Sequence, residues 1–257
     1  MMLVRSKNSS VGWILVALIC AHVAWSMASM GLLDPAELSR GFRNTGIFLR
    51  GLFPPNFEIL SILLGAMMET LQIALVGTSL GFLAALPLAL LGTSTLFVPL
   101  VTSPLKLVLG VVRTIPCLLW ALIFVVAFGL GPTSGALGIA AYTLGYLGKL
   151  FYETFEGVDR EVIEAVRSGG CNRFQLMRYV LLPESANTIL SQLLFAFEYN
   201  VRASSILGFV GAGGIGFYML GYVQLLQYQN LMTALLLTLA VVLIIDRLSL
   251  HLRRRFQ

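Results

Sequence analysis

Charge is what this sequence has least of. Only 11% of its 257 residues are Asp, Glu, Lys or Arg, against roughly 25% in an ordinary soluble domain, and 58% are hydrophobic. That much apolar sequence exceeds any core a chain of this length encloses, so a water-soluble globular protein is excluded and lipid is the solvent. Cysteine is scarce as well: Cys20, Cys117 and Cys171 lie far apart with no CxxC, which speaks against a disulfide framework or a metal site. The two histidines, His22 and His251, stand at opposite ends, so the His, Ser or Asp cluster of a lipid-processing membrane enzyme is missing. No GxxxxGK[ST] occurs anywhere, and ATP is therefore not held here by a P-loop. Internal repeats and low-complexity tracts are also absent.

What charge there is sits in particular places. The net charge of +5 comes from basic residues at the ends of apolar runs, in the stretch 160–178 and in Arg253-Arg254-Arg255. This is the positive-inside pattern of a membrane protein and not a nucleic-acid surface. Val11–Met30, preceded by Arg5 and Lys7, reads as a retained first span, because Asp34-Pro35 does not resemble a signal-peptide cleavage site. A polar stretch, 31–61, follows. The remaining pattern predicts spans at about 64–91, bent at Pro87, and at 104–130, a single long helix kinked at Pro116. Further spans are predicted at 136–152, 186–209 and 231–250. The expectation is an all-α, polytopic, single transmembrane domain over 1–257 with about six spans. Arg253–Arg255 place the C-terminus in the cytoplasm, and an even span count places the N-terminus there too. The first external loop cuts the other way with Arg40, Arg43 and Arg50, balanced by Asp34, Glu37 and Glu58.

Between 153 and 185 the character changes abruptly, with nine charged residues crowded from Glu153 to Arg178. Glu161–Ser168 can form a short helix ended by Gly169-Gly170. Asn172 can cap a second helix, Arg173–Leu181, and Pro183 can open the next span without a backbone donor. Two short helices at a fixed angle make a rigid knob. Within it stands Glu164-Ala165-Val166, three residues, Gly170, nine residues, then Val180-x-Leu182-Pro183. This spacing resembles the EAA signature of permease subunits in binding-protein-dependent ABC importers. The resemblance implies that the knob docks in a groove of a separate ATPase, with Glu164, Ala165, Gly170, Asn172, Arg173 and Pro183 carrying the coupling.

Two further features bear on a path through the membrane. Gly211-Ala212-Gly213-Gly214-Ile215-Gly216 satisfies GxGxxG, but it follows a membrane span and lacks an acidic residue about 20 positions on, so a dinucleotide site is rejected. With Val210 it resembles the glycine turn after the penultimate span of the same permeases. It reads either as a place where two copies approach closely at Gly211, Gly213 and Gly214, or as a flexible turn. Just before it lie Glu198, Asn200, Arg202, Ser204 and Ser205. Glu198 and Arg202 are spaced to pair along one helix face; the other reading has Arg202, Asn200 and the hydroxyls lining the route of an anion. Arg113-Thr114, ahead of Pro116, carries the same ambiguity.

Beyond the class, Phe53-Pro-Pro-Asn-Phe57, Glu69-Thr-Leu-Gln72, Arg113-Thr-Ile-Pro116, Gly129-Leu-Gly-Pro132, Leu147-Gly-Lys-Leu150 and Asn200-Val-Arg-Ala-Ser204 resemble the phosphonate permease family, which includes phosphite and hypophosphite carriers. Cys117 departs from it, where an acidic residue is expected. The resemblance implies a methionine-importer-like (type I ABC importer) fold in a bacterial inner membrane. It implies a homodimeric pore, two ATPase subunits holding ATP and Mg, and an external binding protein. It assigns this chain no cofactor and no catalytic residue. The branch that carries methionine shares the loop motif and the glycine turn, but has no need of Arg202.

Overall fold

The structure, a computed structural model, describes residues 9–256, with side chains from 12 to 254; Arg5, Lys7 and the side chain of Arg255 lie outside them. The described chain is helical: α1 Ser9–Ser29, α2 Pro35–Gly51, α3 Leu60–Gly92, α4 Pro99–Thr114, α5 Cys117–Phe128, α6 Pro132–Glu156, α7 Arg160–Ser168, α8 Arg173–Leu176, α9 Leu182–Leu207, α10 Ile215–Gln224 and α11 Tyr228–Phe256. The chain divides at Pro54–Pro55 into two compact units. The first buries almost nothing: the described side chains of α1 are exposed nearly throughout, and α2 has no buried residue. The stretch 31–61, expected only to be polar, holds a helix. Asp34 caps α2 by accepting the Ala36 N–H at 2.8 Å, and Pro35 opens it. Leu38, Phe42 and Leu49 share one face of α2, with Arg40, Arg43 and Arg50 opposite.

The second unit is built around α6. A Cβ placed on Gly77 of α3 would lie 2.6 Å from Ile139 Cβ, and one on Gly81 would lie 2.6 Å from Thr143 Cβ. The two backbones therefore meet where no side chain fits. On its other sides α6 offers Gly138 to Ala121 of α5, Gly145 to the Arg113 backbone of α4, and Gly148 to Leu109. Its neighbours are helices, which explains why α6 is missing from the helices long and apolar enough to cross a membrane. Among the described residues those are Gly12–Ser29, Phe57–Gly92, Arg173–Val210 and Tyr228–Arg254, and α4 with α5 makes a fifth if that bent pair is one span. The expected fourth span at 136–152 is thus a central helix whose surroundings are protein, not lipid.

Three boundaries differ from expectation. The single kinked helix at 104–130 is two helices, α4 beginning at Pro99 and α5 at Cys117, bent by 87°. Pro116 breaks the chain outright because Ile115 before it is extended (ψ 120°). The break is braced by the Trp120 indole, which donates to the Val112 carbonyl at 3.2 Å. The fifth span does not start near Ala186: the helix runs from Arg173 to Val210 without interruption. Pro183 lies inside it, and its missing N–H is accommodated by a π turn at Met177–Leu181, in which the Leu182 N–H reaches the Met177 carbonyl. α3 likewise continues through Pro87 without ending.

The start of α3 is fixed to the start of α11. Asn56 Nδ2 donates to Asn230 Oδ1 at 2.9 Å, and the Thr233 hydroxyl donates to the Asn56 carbonyl at 2.8 Å. The far ends of α3 and α6 meet beside the charged loop.

Candidate functional site

The knob forms as its local sequence dictates. Asp159 caps α7 by accepting the Glu161 N–H at 2.9 Å. Gly170, at φ +79°, turns the chain out of α7, a conformation that only glycine adopts without strain. Asn172 then caps the next helix in a reciprocal box with Gln175, both bonds 2.8 Å. Ile163, Leu176, Val180 and Leu181 are buried in one cluster with Phe151 and Phe155 of α6, so the knob is seated on the central helix. Its outer surface carries Glu164, Ala165, Asn172 and Arg173, all exposed, together with Val162 and Phe174. Pro183 is exposed on the helix that leaves the knob.

The α3–α4 loop is bound to this knob. The Arg167 guanidinium donates to the Thr95 carbonyl, and that of Arg173 lies 6.0 Å from the centre of the Phe97 ring. A cavity of about 460 Å³ separates loop and knob, lined by Thr95, Phe97, Arg167, Asn172 and Arg173 among others. At the base of the same loop Lys106 Nζ donates to Glu156 at 2.7 Å and to the Ser94 hydroxyl at 2.9 Å, while the Ser94 N–H donates to Glu156 at 2.6 Å. Burial pushes the Glu156 carboxyl up, but the bonds from Lys106 and Ser94 outweigh it and hold the group below its ordinary value. A carboxyl lowered in the folded state contributes stability above its unfolded pKa and loses it as pH falls through the folded one. Glu156→Gln is therefore expected to lower the melting temperature at neutral pH, and its deficit against the native protein to close on acidification below the ordinary carboxylate range. A deficit that does not change with pH sinks this account. Nothing in the charge pattern of the sequence distinguishes Ser94, Lys106 and Glu156.

Deeper in the bundle the residues proposed for a path separate into two groups. Asn200 is 1% exposed; its amide donates to Thr78 at 2.8 Å and Thr143 at 2.9 Å, which pins α9 to α3 and α6. Ser204 donates to the Val201 and Thr70 carbonyls and Ser205 to that of Val201. Glu198 accepts from Arg202 and from Arg253, each at 2.9 Å, and Arg202 reaches Asp246 at 3.2 Å. The expected Glu198–Arg202 pair is thus half of a four-charge network joining α9 to α11. Arg113 is different. It is exposed and enters no ion pair among the described residues. Its backbone lies against Gly145, close to the midpoint of α6. Thr114 beside it returns its hydroxyl to the Val111 carbonyl at 2.7 Å.

The glycine turn is not at the end of the bundle. Gly214 donates to the Glu69 carboxylate at 3.1 Å and Ile215 to the Thr70 hydroxyl at 2.8 Å, and these acceptors lie ten residues, or about 15 Å, inside α3. Glu69 and Thr70 thereby cap α10, which has no side-chain cap of its own. The Gly211 carbonyl accepts from Gly131 at 2.9 Å, joining this turn to the one that opens α6. A Cβ on Gly213 would lie 2.6 Å from Glu69 Oε1. The turn is a packed joint, where sequence reading had left close approach and flexibility both open.

A bundle of apolar helices around a glycine-faced centre, with one charged knob at its end, is the architecture of a membrane transport subunit. The chain belongs to the family of binding-protein-dependent transport system inner membrane components, whose sequence pattern matches residues 77–257. Relatives include the phosphite transport system permease protein PtxC of Stutzerimonas stutzeri. It is 32% identical over 243 residues, 94% of this chain and 88% of that protein. The phosphate-import permease protein PhnE of Mycolicibacterium smegmatis is 34% identical over 216 residues, 83% of this chain and 40% of that protein. The same fold is found in the MetNI methionine ABC transporter solved in inward-facing conformations, with a TM-score of 0.69 at 21% identity over 79% of this chain and 99% of that one. The fold is that of a type I ABC importer permease.

Proposed function

We propose that this chain is the pore-forming subunit of an ATP-driven importer for a phosphorus oxyanion: phosphite, phosphate or a phosphonate. Two copies enclose the path in a bacterial inner membrane, with both termini in the cytoplasm. Two ATPase subunits seat the knobs at Glu164, Ala165, Gly170, Asn172, Arg173 and Pro183, and an external binding protein delivers the cargo. This chain breaks and makes no bonds; ATP and Mg belong to the ATPases, and transport is alternating access driven by their closure.

The observation that carries the cargo assignment is Arg113. An arginine held at half-depth in a membrane bundle is costly unless it faces a partner or a water-filled route, and here it is exposed and without an acid partner among the described residues. An anion is what such a route accommodates. The names of the relatives, which concern phosphite and phosphate, agree with that chemistry.

The test is uptake. Cells depending on this transporter for phosphorus are expected to grow on phosphite, phosphate or an alkylphosphonate, and Arg113→Ala to cut uptake about tenfold or more, the loss of one charge-assisted contact. Competition of uptake by methionine and not by any of these anions removes the proposal.

A further inference from the structure

Arg113 does not stand alone on its face. Tyr142 and Tyr146 lie one turn apart on α6, to one side of Gly145, against which the Arg113 backbone packs. Their rings stack with centroids 6.0 Å apart and planes 8° from parallel. Tyr199 of α9 stacks on Tyr142 at 5.8 Å, and the two phenols approach closely enough to interact. None of the three hydroxyls donates to a backbone carbonyl or a carboxylate among the described residues, in contrast to Ser204, Ser205 and Thr114.

The depth of this group sets it apart from an ordinary aromatic belt. Tyrosines in membrane proteins concentrate where the bilayer meets water. These three lie midway along the bundle: Thr143, next to Tyr142, receives the Asn200 amide, next to Tyr199. Tyr142 and Tyr146 are half-buried and Tyr199 is exposed, so the rack is seated at its back and open at its front. At the back Tyr142 packs on the apolar cluster that contains Cys117. Beside the rack, that cluster contributes an uncharged thiol and no carboxylate. The group presents one fixed cation, three neutral phenol hydroxyls, two of them within reach of each other, and no carboxylate.

The geometry points to Tyr142, Tyr146 and Tyr199, with Arg113, as the station where the oxyanion is held midway across the membrane. This rests on the reading of the cargo given above. Phosphorus oxyanions are tetrahedral and strongly hydrated, and leaving water requires donors from several directions. Phenols supply them without a second full charge. Stacking fixes the rings, so little rotamer freedom is lost when the anion arrives. One arginine with neutral donors also keeps binding weak enough for release, which conduction along a path demands.

The test uses the complete transporter, with its ATPases and binding protein, reconstituted in liposomes and supplied with saturating loaded binding protein. Tyr142→Phe, Tyr146→Phe and Tyr199→Phe keep every ring and remove only the hydroxyls. The triple variant is expected to carry about tenfold less phosphite per ATP hydrolysed, while binding-protein-stimulated ATPase turnover stays within about twofold and the melting temperature is unchanged. Each single variant is measured alongside, so that an effect of the triple on folding does not hide the result. Unchanged anion transport per ATP in all four variants overturns the station while leaving the cargo reading intact. A native complex that carries none of phosphite, phosphate and alkylphosphonate removes both.

Discussion

A transporter carrying Glu164→Ala together with Gly170→Val is expected to lose ATP-dependent uptake by at least about tenfold while its permease remains folded and inserted. The expectation follows from the way the knob divides its residues. Ile163, Leu176, Val180 and Leu181 hold it on α6 and are buried. Glu164 is exposed and enters no ion pair among the described residues, so removing its side chain subtracts little from the fold. Gly170 has open space around it, with nothing within 4 Å of an added Cβ, but its φ is +79°. A β-branched residue there is strained by about 1–3 kcal/mol. The strain relaxes by re-aiming the chain between α7 and the Asn172 cap, which changes the angle between the two halves of the knob. A rigid docking element fails when that angle changes, although every buried contact survives. The check is uptake measured beside melting temperature and ATPase co-purification. Labelling of an Asn172→Cys variant is expected only from the cytoplasmic side. Full uptake in the double variant sinks the docking role, and labelling from outside sinks the orientation.

The knob was legible because its signals are local. Asp159, Gly170, Asn172 and Gln175 act on backbone groups within a few residues, and caps of that kind are written in sequence. What followed it was less so. Pro183 is a fair signal for a helix start, yet the helix from Arg173 continues through it, because a π turn absorbs the missing donor. The span at 136–152 was found from its apolar residues, but its central position depends on Gly77 and Gly81 of a different helix, and no pattern within α6 announces them. Glu69 and Thr70 cap a helix that begins some 145 residues later in the chain, a relation that spacing does not encode. The candidate path was legible in part. Arg113, Glu198, Asn200 and Arg202 stood out as polar residues in apolar runs. Which of them face inward to other helices and which lie open was decided only by the positions of Thr78, Thr143, Asp246 and Arg253. The tyrosines carry no signal in the sequence, since stacking across two helices leaves no periodic trace.

Glu198→Ala is expected to be far more damaging than Arg202→Ala, by about 3–5 kcal/mol of stability against a clearly smaller loss. Glu198 is the shared acceptor of two arginines at 2.9 Å each, and its side chain is 10% exposed. Without it Arg253 keeps no acid partner among the described residues, and Arg202 keeps only Asp246, at 3.2 Å. A cation is then left inside the bundle uncompensated, which is the costly way to break a buried pair. Removing Arg202 is milder for three reasons. Glu198 still has Arg253, Asp246 lies at 30% side-chain exposure, and Arg202 itself at 41%, so the acid it leaves behind is partly solvated. The comparison also separates two roles for Arg202. As a strut between α9 and α11 it acts through the ion network, and Arg202→Lys restores most of what Arg202→Ala loses in melting temperature. As a substrate contact it acts on transport per ATP with no change in melting temperature. The network predicts the first pattern, with Glu198→Ala largely inactive because it is largely unfolded. Equal melting temperatures for Glu198→Ala and the native protein sink this assignment, and return Arg202 to the path alongside Arg113.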